Sequence, residues 1–245
     1  MDLELGGKVA LVTGAGSQIG YGRAIAAFLA REGCAVACAD IVPEWAQRTA
    51  AEIENSGGRA VSVQADVANP GEVERMVAAV TGALGKIDIL VNNAGASSPD
   101  AFFMEKTRAD WEKDIGVNLI GQMNVAHAVI PHMARRKYGR IVNTSGGQGI
   151  PAISVYGAAK AGVEAWTHAL ALEVAPMGII VNGIAPGLGH TGLTAGTPSE
   201  FMEANRQRSA LKRLCTPADV APAVAFLASD VCSYMVGQWL RLGTF

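Results

Sequence analysis

The feature that most constrains the fold is the regular alternation of apolar strand segments with helical segments. The runs Val9-Ala10-Leu11-Val12 and Ile89-Leu90-Val91 are apolar at every position, so strands built from them are buried on both faces. A parallel sheet that is covered by helices on both sides requires strands of this kind. The alternation therefore predicts one doubly wound α/β domain over residues 1–245, with a seven-stranded parallel sheet and helices on both faces.

The segments of this fold follow from the hydrophobic periods. The predicted strands cover residues 8–13, 35–40, 60–64, 87–91, 139–144, 179–184 and 238–242. The predicted helices cover residues 23–31, 44–56, 70–84, 111–135, 155–174 and 217–228. Residues 188–212 interrupt the alternation and predict a lid over the carboxyl ends of the strands, where the ligands of such sheets bind.

Charge and composition exclude several classes of protein. The formal net charge is −2, which gives no electrostatic attraction to nucleic acid or to an anionic membrane. No apolar run reaches the roughly 18 residues of a spanning helix, and residues 1–4 lack the features of a signal peptide. The four cysteines have neither metal-ligand nor disulfide spacing. We therefore expect a cytoplasmic protein without a metal, a membrane or a nucleic-acid partner.

A glycine-rich segment follows the first strand. Four glycines fall among the nine residues 14–22, directly before a predicted helix. Such a turn lets the backbone approach a pyrophosphate, and the helix N-terminus supplies N–H groups and a positive dipole. The motif predicts a dinucleotide site rather than an ordinary tight turn. The candidate contacts in this segment are Gly14, Ser17, Gln18 and Ile19.

Two acidic residues end the next two strands. Asp40 lies at the position where a carboxylate accepts both hydroxyls of an adenosine ribose, and Ile41 follows it. A 2′-phosphate would be repelled there, and neither the loop nor Ile41-Val42 offers an arginine to bind one, so NAD is favoured over NADP. Asp66, with Val67, either meets the adenine amine or caps the helix that follows.

Tyr156 and Lys160 stand four residues apart in a predicted helix and so share one face. An ammonium beside a phenol favours the phenolate, and it should lower the pKa of the tyrosine from about 10 toward neutrality. Such a tyrosine can donate or accept a proton at physiological pH. The alternative is a chance pairing on a solvated helix face.

Taken in order, these motifs resemble the short-chain dehydrogenase/reductase family over nearly the whole chain. The marks are Thr13-Gly14, Asn92-Asn93-Ala94-Gly95, Asn118, Ser145, Tyr156-x-x-x-Lys160 and Pro186-Gly187. The resemblance implies a Rossmann fold and an oxidoreductase that exchanges a hydride between a nicotinamide cofactor and an alcohol or ketone.

The resemblance also implies residue roles. Tyr156 would be the general acid/base, and Lys160 would lower its pKa and bind the nicotinamide ribose. Ser145 would hold the substrate oxygen. Asn118 would support a water that relays protons, or else be a helix-interior amide bonded to backbone. The remaining implied cofactor contacts are Asn93, Ala94, Gly95, Pro186, Gly187 and Thr191.

The chain departs from the family pattern in two places. Gln18 stands where the family has its second loop glycine, and the loop is two residues longer than usual. The related enoyl-acyl-carrier reductases also have a long loop, but three residues separate Tyr156 from Lys160 here and more separate theirs, which argues against that subfamily. Gly146 stands at the usual serine position, so Ser145, or otherwise Thr144 or a backbone group, takes that role.

The substrate pocket is expected to be neutral and apolar. The positions expected to form its wall are Ser97, Ser98, Gln148, Gly149, Ile150, Leu188, His190, Leu193, Phe201 and Met202. They include no Arg or Lys, so we expect a neutral secondary alcohol or its ketone as substrate. The alternatives are an NADPH-dependent 3-oxoacyl-type ketoreductase and a catalytically silent dinucleotide sensor. The resemblance also implies a homotetramer or homodimer packed through residues 111–135 and 155–174; intramolecular burial is the alternative.

Overall fold

The computed structural model describes residues 2–243 and contains one seven-stranded sheet. The strands are β1 Val9–Thr13, β2 Ala35–Asp40, β3 Arg59–Gln64, β4 Ile89–Asn92, β5 Gly139–Thr144, β6 Ile179–Ala185 and β7 Trp239–Arg241. All neighbours pair in parallel in the order β3-β2-β1-β4-β5-β6-β7. The predicted doubly wound fold is confirmed. The strand order reverses between β1 and β4, and a crevice opens at their carboxyl ends.

Helices connect the strands and cover both faces of the sheet. They are α1 Tyr21–Arg31, α2 Pro43–Asn55, α3 Pro70–Leu84, α4 Arg108–Ile115, α5 Gly121–Arg136, α6 Ser154–Val174, α7 Ser199–Arg208 and α8 Pro217–Ala228. About half of the predicted ends differ from the structure by one to three residues, as the ends of such elements commonly do. The helix α7 lies within residues 188–212. No helix within residues 2–243 is long and apolar enough to cross a membrane.

The first strand shows why its sequence is apolar throughout. Ala10 and Val12 belong to the core on one face of the sheet, beneath α1 and α8. Val9 and Leu11 belong to the core on the other face. Because successive side chains of a strand point to opposite faces, both faces are dry only when every position is apolar. Burial on both sides thus fixes β1 at the centre of the fold.

The predicted helix over 111–135 is helical in the structure, but it is not one continuous α-helix. It begins at Arg108, and a π-helical turn at Gly116–Ile120 separates α4 from α5. Such a turn adds a residue to the helix and is frequent at functional sites. Hydrophobic periodicity does not reveal one additional residue inside a long helix. The turn carries Asn118, so it sets the direction of that side chain.

The N-terminal cap of α3 shows which of its two expected roles Asp66 does not have. Asn69 Oδ1 accepts hydrogen bonds from the N–H groups of Gly71 and Glu72, at 3.1 and 3.3 Å. Asp66 Oδ1 instead accepts from Ala68 N at 2.9 Å, in a turn that precedes the helix. Asn69, and not Asp66, therefore caps the N-terminus of α3. The turn before the helix uses only Oδ1 of Asp66.

We expect Asn69→Ala to lower the free energy of unfolding by about 1 kcal/mol, because two N–H groups lose their acceptor. Asn69→Ser retains an acceptor oxygen and is the matched control, with an expected loss of a few tenths. Urea unfolding at equilibrium measures both. Equal losses in the two variants would contradict the assigned cap.

Candidate active site

The carboxyl ends of the central strands meet at one edge of the sheet. Asn93, which follows β4, donates from Nδ2 to the carbonyls of Thr13 and Gly14 after β1, at 3.0 and 3.1 Å. The N–H of Ser145, which follows β5, donates to Ile184 of β6 at 2.9 Å. The sequence motifs that follow these strands are thus brought together in the crevice that the topology predicts.

The glycine loop is shaped as a backbone cradle. Gly14 has φ +65°, and a Cβ there would lie 2.8 Å from the Cα of Ala94. A Cβ on Gly22 would collide with the carbonyl oxygen of Gly14, so Gly22 lets α1 approach β1. Gly20 precedes α1 without a side-chain cap. The N–H groups of the first helical turn are therefore free to bind phosphate oxygens, and the loop fits a dinucleotide.

The additional length of this loop reaches across the crevice. The hydroxyl of Tyr21 donates to the carbonyl of Gly187, at 3.0 Å. A Cβ on Gly192 would lie 2.8 Å from the Oγ of Ser17, so these two residues are also in close proximity. The loop therefore contacts the segment after β6, where Pro186, Gly187 and Thr191 lie. No sequence motif predicts this role for Tyr21.

The other loop candidates have different surroundings. Gln18 Nε2 donates to the carbonyl of Gly16 at 3.1 Å and braces the loop, whereas Ile19 is 52% exposed. Val67 is buried, and a Cβ on Gly121 of α5 would lie 2.7 Å from its Cγ2. Only the backbone of Val67 can therefore face a ligand.

Asp40 joins the end of β2 to the glycine loop. Its Oδ2 accepts a hydrogen bond from Gly16 N at 2.8 Å, and its Oδ1 accepts from Val42 N at 3.1 Å. Each carboxylate oxygen can accept a further bond. Ile41 is exposed. A Cβ on Gly16 would touch both this carboxylate and the Cβ of Trp45, a neighbour that the sequence did not single out.

Tyr156 and Lys160 lie together on α6, and the lysine is fully inside the protein. The Nζ of Lys160 is 5.6 Å from the centre of the Tyr156 ring, and it donates to the carbonyl of Thr144 at 3.1 Å. Burial lowers the pKa of Lys160 to about 8. The two side chains share one face, as the spacing predicts.

The expected lowering of the tyrosine pKa is wrong for this state of the protein. Burial, and after it the negative charge of Asp114, raises the pKa of Tyr156 to about 12. The physical reason is the loss of hydration, which penalises a phenolate more than the nearby ammonium favours it. The sequence identified the charged neighbour but not the depth of the crevice.

Asn118 is buried and holds the segment after β4. Its Nδ2 donates to the carbonyl of Ala96 at 2.6 Å and to that of Asp114 at 2.8 Å. The second contact is a bond to helix backbone, which is the alternative to a proton-relay role for this amide. Its Oδ1 is buried without a partner, and a Cβ on Gly95 would lie 3.0 Å from it and 3.8 Å from the Lys160 Nζ. An acceptor left free beside an amine suits a bound water or a ribose hydroxyl.

The hydroxyl of Ser145 points into the protein. Its Oγ donates to the carbonyl of Lys160 at 3.0 Å and accepts from Gln148 Nε2 at 3.2 Å. Thr144 Oγ1 is buried and has no partner. Gly146 has φ +125° and carries no side chain to replace the usual serine. The polar side chain that contacts Ser145 at this place is that of Gln148, which was expected in the pocket wall.

A buried ion pair lies beneath the crevice. Lys106 Nζ is 3.9 Å from Asp114 Oδ2, and both side chains are fully buried. Lys106 also donates to the Oγ of Ser98 at 2.6 Å. Ser98 in turn donates to Asp114 from its N–H and its hydroxyl, at 2.6 and 2.9 Å. Ser98 was expected in the pocket wall, which is wrong, because it completes this buried pair.

Other expected wall residues lie in a groove beside the catalytic crevice, and Gln148 joins the two through its bond to Ser145. A groove of about 470 Å³ is lined by Gln148, Gly149, Ile150, Pro151, Ser154, Gly157, Ala158 and Ala161. Tyr156 and Lys160 do not line it, so Gly149 and Ile150 face a groove along α6 and not the reacting groups. His190, Leu193 and Phe201 are exposed, whereas Met202 is buried.

Comparison with known proteins identifies the class. The family profile described as "Enoyl-(Acyl carrier protein) reductase" matches residues 14–242. The 3-oxoacyl-[acyl-carrier-protein] reductase of Thermotoga maritima is 38% identical over 239 residues, 96% of each chain. The cis-4-hydroxycyclohexanecarboxylate dehydrogenase of Sinomonas cyclohexanicum is 39% identical over 238 residues, 96% of this chain and 94% of its own.

Solved structures agree with the fold. A dehydrogenase/reductase from Sinorhizobium meliloti 1021 superposes with a TM-score of 0.90 at 35% identity, covering 98% of this chain and 95% of that one. A short-chain type dehydrogenase/reductase from Mycobacterium marinum gives a TM-score of 0.93 at 32% identity, with 98% and 96% covered. The chain belongs to the short-chain dehydrogenase/reductase family. It is an NAD(P)-dependent oxidoreductase that acts on a small-molecule alcohol or ketone.

We expect Lys106→Met to lower the free energy of unfolding by about 3–5 kcal/mol, because Asp114 would remain charged and buried. The double variant Lys106→Met/Asp114→Asn buries no charge and should recover most of that loss. Arg108→Met is the matched control, because its pair with Glu112 is exposed, with an expected cost below about 1 kcal/mol. Denaturant titration measures all three. A double variant as unstable as Lys106→Met would contradict the role given to the charge.

Proposed function

We propose that the protein is an NAD-dependent dehydrogenase that interconverts a neutral secondary alcohol and its ketone, with Tyr156 as the general acid/base. One observation carries the proposal. The hydroxyl-bearing ring of Tyr156 and the amine of Lys160, 5.6 Å from its centre, lie in the crevice where the carboxyl ends of the strands meet. A phenol and an amine in a dry site can exchange a proton with a bound alcohol or ketone.

The cofactor assignment depends on Asp40 and the glycine loop. The carboxylate of Asp40 has acceptor capacity for ribose hydroxyls beyond its bonds to Gly16 and Val42. It would repel a 2′-phosphate, which supports NAD over NADP. When bound, the nicotinamide supplies or accepts the hydride. The residues proposed to hold the cofactor are Gly14, Ser17, Gln18, Ile19, Asp40, Ile41, Asp66, Val67, Asn93, Ala94, Gly95, Tyr156, Lys160, Pro186, Gly187 and Thr191.

The proton path uses Tyr156, Lys160 and Asn118. Tyr156 gives its proton to the ketone oxygen in reduction and takes it from the alcohol in oxidation. Burial lowers the pKa of Lys160 to about 8, so its amine can pass a proton on at physiological pH. The unpartnered Oδ1 of Asn118 faces the same amine across Gly95 and can hold a water between them. Ser145 stabilises the backbone of Lys160 through its bond to that carbonyl.

A second candidate is a 3-oxoacyl-type ketoreductase that uses NADPH. The observation that favours it is the 38% identity to the Thermotoga maritima reductase, over 96% of both chains. The same Tyr156 chemistry would serve it. The two candidates differ in their cofactor and in the thioester attached to the ketone.

The proposal also includes assembly of the chain into an oligomer and a lid formed by residues 188–212. Ile115, Ile120 and Leu172 are exposed on the helices α4 to α6 and the turn between them, at 39%, 42% and 62%. The exposure of these apolar side chains supports a homodimer or homotetramer in which a second copy of the chain covers them, and light scattering that gives a monomer would contradict it. Residues 188–212 would close as a lid over the single domain 1–245.

The test is NADH formation at alkaline pH with three secondary alcohols, which are cyclohexanol, 1-phenylethanol and ethyl 3-hydroxybutyrate. The same assays are run in parallel with NADP+. We expect turnover with NAD+ and a fall in kcat of about 10²–10⁴-fold in Tyr156→Phe. Tyr234→Phe is the matched control, because that tyrosine is 99% exposed. Preference for NADP+ would support the 3-oxoacyl candidate. Cofactor binding without turnover of any alcohol would favour a silent sensor.

The pH profile gives a separate prediction. Burial and then the charge of Asp114 raise the pKa of Tyr156 to about 12, so alcohol oxidation should rise with pH. Asp114→Asn removes the negative charge, which lowers this pKa, and the rise should move to lower pH. The profile of kcat/KM against pH measures the shift, with the exposed Asp100→Asn as control. A shift to higher pH, or the same shift in both variants, would contradict the assignment.

A further inference from the structure

The end of β5 carries no hydroxyl that is both accessible to a substrate and unbonded. Ser145 is 4% exposed, and its proton is donated to the carbonyl of Lys160, at 3.0 Å. Because a hydroxyl has one proton, it cannot also donate to a ketone oxygen. Thr144 Oγ1 is buried, and Gly146 has no side chain. The donor that would accompany Tyr156 must come from another residue.

Gln148 supplies an amide at this place. Its Nε2 lies 3.2 Å from the Oγ of Ser145. Because the hydroxyl of Ser145 donates its proton to the carbonyl of Lys160, its oxygen must accept a hydrogen bond from Gln148. The NH₂ end of the Gln148 amide, and not its oxygen, therefore faces Ser145. An NH₂ group has two protons. One is used by Ser145, and the second is available to another acceptor.

The backbone brings Gln148 to the side of the catalytic tyrosine. Gly147 has φ +72°, and a Cβ there would lie 2.8 Å from the Cε1 of the Tyr156 ring. A Cβ on Gly157 would lie 3.5 Å from the Cα of Gln148. The segment 146–148 thus packs against the ring edge of Tyr156, and a residue with a side chain at 147 would hold it away.

We propose that Gln148 is a catalytic residue whose second amide proton binds the substrate oxygen that exchanges its proton with Tyr156. Ser145 is then a positioning residue, which holds the amide of Gln148 and does not touch the substrate. The proposal rests on the proposed function, because it concerns the same reacting oxygen. A donor aimed at an oxygen that gains negative charge stabilises the transition state more than the ground state.

The experiment compares Gln148→Ala and Gln47→Ala with the wild-type protein, using the most active alcohol of the panel and its ketone. Gln47 is exposed on α2, so its variant loses the same atoms at a surface position. We expect Gln148→Ala to lower kcat by about 10²-fold, at the lower end for loss of one oxyanion donor. The Kd for NADH, from its fluorescence, should stay within about twofold, because Gln148 does not serve the cofactor.

A double-variant cycle separates the two roles. If Ser145 acts through Gln148, Ser145→Ala should cost less than Gln148→Ala, about tenfold, and the double variant should be no worse than Gln148→Ala alone. If Ser145 binds the substrate itself, its single variant should cost more, and Gln148→Ala should change kcat little.

The outcomes distinguish this proposal from the proposed function. Wild-type turnover that Tyr156→Phe abolishes, with Gln148→Ala within about threefold of wild type, would overturn only the role of Gln148. Loss of NADH binding in Gln148→Ala would also overturn it, in favour of a structural role. If the wild-type protein oxidises no alcohol of the panel, both proposals fall together.

Discussion

A chain of buried hydrogen bonds between side chains holds the catalytic edge of the sheet together. Asn92 at the end of β4 donates to Asn143 of β5 at 2.9 Å, and Asn143 donates to Thr167 of α6 at 2.9 Å. All three residues are buried, where an unpaired amide would be costly. The chain fixes α6 against the two central strands, and α6 carries Tyr156 and Lys160. The reactive pair therefore depends on polar groups that never touch a ligand.

Burial, more than proximity, sets the chemistry of that pair. A phenol and an amine on one helix face suggest a lowered tyrosine pKa, but dehydration in the crevice raises that pKa and lowers the pKa of the lysine. Both shifts favour the uncharged forms. Within residues 2–243, the only carboxylate that acts on Tyr156, that of Asp114, lies beneath the crevice and is paired with Lys106.

The sequence was sufficient for the fold because its signals are local. A strand such as β1, which is apolar at every position from Val9 to Val12, predicts burial on both faces of the sheet. The motif residues follow strands whose carboxyl ends must meet at one edge of a parallel sheet. The missed features depend on contacts distant in sequence. The π-helical turn at Asn118 is a local exception, because one additional residue inside a long helix is too small a change for hydrophobic periodicity to reveal. The direction of the Ser145 hydroxyl depends on a carbonyl of α6, and the burial of Ser98 depends on Lys106 and Asp114.

The most direct test of the account follows the hydride itself. The protein would be incubated with NAD+ and a secondary alcohol from the panel that carries deuterium at its carbinol carbon, and the cofactor would then be examined by mass spectrometry. The account predicts that the reduced cofactor gains the deuterium and that kcat/KM shows a primary isotope effect. Reduced cofactor without deuterium would contradict direct transfer between the alcohol and the nicotinamide, and with it the central claim.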